Sequence, residues 1–229
     1  MAGSGMFTTK GARKDHLMRG TGGVAAEVLD LREDLTEEFS PLLALTVEEL
    51  TNPAAASANA LLAATATGAA GVVVVLQEKD LLLAGRDALK LSPRQLVFTT
   101  AGATPANAPA SVLIEGLNNF GKPVKETLAL AQTATTATSV NAYSKITRLT
   151  FAASDGAAAT IAIGWSVVLY VTRKPKTRAG LALVYKEVMD GAEIDPVTGT
   201  LDAAGVYTPA AAPNGARNYA VVFEYDPTF

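Results

Sequence analysis

The chain is predicted to be mainly β, an antiparallel β-sandwich with an N-terminal arm plus short helix before it and a C-terminal β extension after it. Three observations predict this. Between positions 96 and 172 the sequence falls into short β-rich runs, 96–100, 111–117, 124–130, 145–151, 160–165 and 167–172. Turn chemistry separates them: Ala-Gly-Ala-Thr-Pro at 101–105, Asn-Asn-Phe-Gly at 118–121 and Ser-Asp-Gly at 154–156. Short strands punctuated by Gly, Pro, Asn and Asp are the mark of a sandwich or barrel. The second observation is Tyr219-Ala-Val-Val-Phe-Glu-Tyr225, a strong β segment near the C-terminus. The third is an amphipathic period near the N-terminus. The expected division is 1–50 for the arm and helix, 51–172 for the sandwich and 173–229 for the extension.

Residues 1–23 are rich in glycine and carry Lys10, Arg13, Lys14 and Arg19 without periodicity, which predicts an extended or disordered arm. Val24, Val28, Leu31, Leu35 and Phe39 then recur at spacings of 4, 3, 4 and 4, one face of a helix that Pro41 ends. Thr46-Val-Glu-Glu49 has the capping-box pattern and predicts a short turn of helix, closed at Asn52-Pro53. Residues 54–70 are ambiguous, although the alternation at 64–68 suits a strand. The β-branched run 72–76 predicts a buried strand. Residues 81–89 suit a strand or a short helix. The basic, proline-containing stretch 173–178 predicts a solvated linker, 181–189 a helix or strand, and Asp195-Pro-Val-Thr-Gly-Thr a turn. The terminal β segment must pair with the chain's own core or with a neighbouring subunit.

Composition narrows the chemistry. The 229 residues carry 19 Lys and Arg against 22 Asp and Glu, a net charge of −3, so no basic footprint predicts a nucleic-acid partner. There is no cysteine, hence no disulfide framework and no thiolate metal site. The single histidine, His16, sits between Asp15 and Leu17 in the arm and reads as a surface residue. Glu27, Asp30, Asp34 and Glu38 lie at helical spacing around the apolar stripe and read as a solvated face rather than a metal site. Asp195 and Asp202 lack the EF-hand spacing. Gly20-Thr-Gly-Gly-Val-Ala25 matches a dinucleotide loop in letters only, because no strand feeds it and no βαβ unit follows. The longest apolar run, 68–76, is about half the ~20 residues a membrane span needs. No secretory leader is visible at the start. Catalytic residues, cofactor and metal are therefore all expected to be absent.

The run 98–133, from Phe98-Thr-Thr-Ala-Gly through Glu126-Thr-Leu-Ala-Leu-Ala-Gln-Thr133, resembles a β domain recurrent in the virion proteins of tailed bacteriophages. The resemblance rests on the Thr-Thr-Ala-Gly strand end at 99–102, the Ala-Pro-Ala opening at 108–110 and the hairpin that follows. It also rests on Lys145-Ile-Thr-Arg148 and on Ser154-Asp-Gly-Ala-Ala-Ala-Thr-Ile-Ala-Ile-Gly164, covering roughly 96–165. Tyr207-Thr-Pro209, Ala212-Pro-Asn-Gly215 and 219–227 are similar in style. The resemblance implies an immunoglobulin-like or jelly-roll-like sandwich mounted on a capsid or tail.

The function expected on this basis is a non-enzymatic capsid decoration, or cement, protein. It would be made in the host cytoplasm and sit in the virion between major capsid subunits, self-associating as a homotrimer without nucleic-acid or membrane partners. A neck, tail or baseplate component is the alternative, and a carbohydrate-binding module a weaker one, since Trp165 is the only tryptophan. The candidate intersubunit contacts are Val24, Val28, Leu31, Leu35 and Phe39 from the helix, and Tyr219, Val221, Phe223 and Tyr225 from the terminal strand.

Overall fold

A computed structural model describes residues 44–67, 71–102, 107–130, 136–154 and 159–228. The expected arm and helix, with His16 and the contacts Val24 to Phe39, lie outside the described residues. Within them the chain is mainly β and its sheets are antiparallel.

The larger sheet has seven strands. It is built from β2 (Ser57–Ala66), β3 (Val74–Gln77), β4 (Arg94–Ala101), β5 (Ser111–Asn118), β6 (Pro123–Ala129), β7 (Thr136–Phe151) and β8 (Thr160–Trp165). Their order is β2-β8-β4-β7-β5-β6, with β3 paired to β7. The strands expected at 96–100, 111–117, 124–130 and 160–165 are present. The one expected at 145–151 runs back to Thr136.

This long β7 folds the sheet onto itself. Phe98 pairs with Ala137, and Phe151 lies fourteen residues further along β7, a distance of ~45 Å in a straight strand. Yet the Phe98 and Phe151 rings meet edge to face at 6.1 Å. Three register breaks bend the strand. Gln95 pairs with Ala142 and Val97 with Thr138, so residues 139–141 loop out opposite Leu96. Against β5 the register skips Thr147 and then Ser144. Bulges bend and twist a strand while disrupting ladder bonds, and a hydroxyl makes good each loss. Ser139 Oγ accepts from Leu96 N at 2.9 Å, Ser144 Oγ donates to Asn118 O at 2.7 Å, and Thr147 Oγ1 donates to Glu115 O at 2.9 Å.

The fold-over encloses the main core, in which Leu61, Leu96, Phe98, Val112, Ile114, Tyr143, Leu149, Phe151 and Ile163 are buried. A 3-10 turn (Glu78–Asp80) leads into the helix α1 (Leu83–Leu91), which presents Leu89 to that core. A β-carbon on Gly85 would stand 2.3 Å from Ala60 O, so this close seating of α1 on β2 requires glycine.

A second, smaller sandwich joins both ends of the described chain. Its four-stranded sheet is ordered β1-β16-β12-β13, from β1 (Leu45–Leu50), β12 (Val184–Met189), β13 (Ala192–Glu193) and β16 (Tyr219–Glu224). Facing it is β14-β15-β9, from β9 (Leu169–Tyr170), β14 (Thr200–Leu201) and β15 (Val206–Thr208). Leu50, Leu169, Val171, Leu201, Tyr207, Tyr219, Val221 and Phe223 fill the space between. A hairpin of β10 (Thr177–Arg178) and β11 (Leu181–Ala182) precedes β12.

Several expectations are corrected here. Residues 46–49 are not a helical turn: β1 pairs with β16 over six consecutive residues, and that ladder overrides the local capping pattern. The sandwich boundary at 51–172 is not observed, because β1 and β9 belong to the second core with the 173–229 strands. The stretch 173–178 is no free linker. Pro175 bridges Tyr225, Lys176 N donates to Glu224 O, and the Lys176 ammonium pairs with the buried Glu224 carboxylate. The 72–76 run is not a buried strand: β3 starts only at Val74 and pairs only with β7, and Val72 and Val73 before it are about half exposed.

Candidate functional site

A strand paired on one edge can recruit a neighbour through the other, whereas a strand paired on both cannot. β16 is paired on both, by β1 and β12. Tyr219, Val221 and Phe223 point into the second core and are buried within this chain, so the structure withdraws them as intersubunit contacts. The remaining member of that group, Tyr225, is half-buried and lies under the Arg173 guanidinium, 5.0 Å from the ring centroid.

Two carboxylates do structural work that no motif announced. Glu187 on β12 is fully buried beneath the segment 195–212. Its oxygens accept from Gly199 N at 2.8 Å, Tyr207 Oη at 2.7 Å and Ala210 N at 2.9 Å. Burial, followed by this carboxylate, pushes the Tyr207 phenol far above its usual range, so it remains a donor. Glu126 on β6 clamps the 139–141 bulge, accepting from Val140 N, Asn141 N, Asn141 Nδ2 and Tyr143 Oη. Both carboxylates are saturated by partners and serve the fold. Among the described residues no group of three or more His, Cys, Asp or Glu could hold a metal ion.

Among the described residues, the arrangement with chemistry to spare lies where the two cores meet. Asn52, at a φ of 45°, turns the chain from β1 toward β2 and sets Pro53 and Ala54 beside α1. Arg94 opens β4 in phase with the inward-facing Leu96 and Phe98, so its side chain enters the interior and only 2 % of the residue is exposed. Its Nε donates to Ser92 Oγ at 3.1 Å, Nη1 to Ser166 O at 3.0 Å and Nη2 to Ala54 O at 3.0 Å. Burial pulls the guanidinium down to about 10, which leaves it charged at neutral pH. A cleft of about 80 Å³ adjoins it, lined also by Thr51, Pro53, Leu91 and Trp165. Trp165 is buried, as expected of a core residue rather than a sugar platform, and its indole donates to Ala55 O at 2.9 Å. Arg94 was missed in the sequence, although the period of two along β4 points it inward.

The aliphatic side chains left in solvent concentrate in one stretch. Val72 and Val73 precede β3 and Val75 lies on it, while Leu82 precedes α1 and Leu83 and Leu91 mark its two ends. No protein-family model, curated protein or solved structure matches the chain.

Proposed function

We propose that the chain is a non-enzymatic structural subunit of a tailed-phage virion, a decoration protein that stabilises the head by binding between major capsid subunits. What supports this is the resemblance of 96–165 to phage virion domains, together with the aliphatic surface of the 72–91 stretch. Six large apolar side chains there are exposed, from Val75 at 38 % to Leu91 at 76 %, and Val75 lies on β3, a strand paired on one side only. Scattered exposed leucines need no explanation, but a concentration beside an open edge suits a protein contact. A subunit of this kind acts through area. Specific interfaces bury about 1,200–2,000 Å², and binding only the assembled lattice stabilises that lattice by mass action. A homotrimer on threefold positions is the assembly we favour.

The test is to heat particles with and without the protein while following genome release. A higher release temperature with the protein present supports the head assignment. Equal release temperatures, with a copy number far below that of the capsid subunits, would place it in the neck or tail instead.

A further inference from the structure

We propose that the cleft beside Arg94 is a binding site for a carboxylate, one functional group deep. A guanidinium offers five N–H donors and a permanent charge. Arg94 spends three of the five on Ser92, Ser166 and Ala54, all neutral acceptors, which leaves two. No carboxylate among the described residues pairs with it. A buried cation surrounded only by neutral dipoles is costly, and a bound anion offsets that cost. Burial has weakened its hold on the proton without removing the charge at neutral pH.

The cleft defines the ligand's size and shape. Its volume of about 80 Å³ equals the share of two or three waters, far below the ~300 Å³ at which sites for whole small molecules begin. A nucleotide or a sugar ring does not fit, whereas a single planar carboxylate does, and it matches the guanidinium fork. The other walls are mostly apolar, from Pro53, Ala54, Ala88, Leu91 and Trp165, and would receive the aliphatic stem behind the acid. An acidic side chain of a protein and a free short-chain acid share this chemistry. The inference is independent of the assembly reading and can fail or stand without it.

Trp165 is the only tryptophan and lines the cleft, so occupancy of the cleft is read from a single emitter. The full chain is titrated with propionate, with propionamide, and with N-acetyl-aspartate methylamide at constant ionic strength. The expected result is a saturable change with both acids and none with the amide. Tighter binding of the blocked aspartate identifies a protein side chain as the natural source, and equal or weaker binding a free acid. Ala88→Leu narrows the cleft from the helix side while keeping Arg94 itself, and is expected to weaken propionate about tenfold. Arg94→Met abolishes the response; if that variant does not fold, Ala88→Leu decides alone. Equal responses to acid and amide, no response at all, or an Ala88→Leu variant that binds like the parent would overturn the proposal.

Discussion

At the scale of single residues, the informative positions are carboxylates held away from water. Glu48 on β1 accepts from Thr172 N and Thr172 Oγ1, both at 3.0 Å. Burial raises its carboxyl above the ordinary value, while the Thr172 bonds and the Arg173 charge pull it partway back. The folded chain therefore binds this proton more tightly than the unfolded one. This contribution to stability is full at low pH and is lost as pH rises from the ordinary carboxylate range through the raised value. Glu48→Gln retains an acceptor for Thr172 N–H, offers its amide to the hydroxyl and removes the charge. We expect the variant to be more stable than the parent at pH 7 by on the order of 1 kcal/mol, with the gap closing below about pH 4. Urea denaturation at the two pH values measures it. A less stable variant at pH 7 would mean that the charge itself is needed opposite Arg173.

At the scale of elements, β7 decides the architecture, because its bulges turn one sheet into the two walls of a core. Glu126 holds the most pronounced of them through four donors, the shortest being Val140 N at 2.6 Å. Glu126→Ala releases those donors at a half-exposed site where water replaces part of the loss. The expected destabilisation is about 1–2 kcal/mol. Amide exchange at Val140 and Asn141 should accelerate well before that at Leu149 or Phe151. Uniform acceleration along β7 would mean that the clamp supports the whole strand. A glycine shapes a second element: a β-carbon on Gly164 would lie 1.8 Å from Ser57 O, where the β2–β8 register jumps between Ser57 and Leu62. That close approach holds β2 against β8 despite the broken ladder.

At the scale of the whole molecule, the turn between β5 and β6 reaches from the first core to the second. It inserts Asn119, whose Nδ2 donates to Val171 O at 3.1 Å and to Ala204 O at 3.2 Å. Asn119 is buried, so Asn119→Ala leaves two carbonyls without that donor and should cost about 1–3 kcal/mol. We expect the loss to fall on the coupling, so that Trp165 fluorescence, reporting the first core, and tyrosine absorbance, to which every tyrosine but Tyr143 contributes from the second, cease to melt together. Coincident melts at a lower midpoint would show instead that the two cores form a single cooperative unit.

Local chemistry was enough for the β class and for most strands of the larger sheet. Turn residues and β-branched runs act within a few positions, so 111–117, 124–130 and 160–165 were legible without any partner. The terminal strand was equally plain. Its partners were not, because β16 joins β1 across 169 to 179 positions, Leu50 pairing with Tyr219 and Leu45 with Glu224, and pairing at such range leaves no mark in either segment. For the same reason the capping pattern at Thr46 misled, and 173–178 resembled a linker when Lys176 and Pro175 are fastened to β16. Burial depended on the fold too: the valines at 72–75 have the composition of a buried strand, yet the ladder with β7 begins only at Val74, and Val72, Val73 and Val75 stay exposed. Arg94 combines the two cases. Its inward phase is written in β4, whereas Ala54 and Ser166, the acceptors that hold its fork, are brought to it from 40 and 72 positions away by the closing of the sheet.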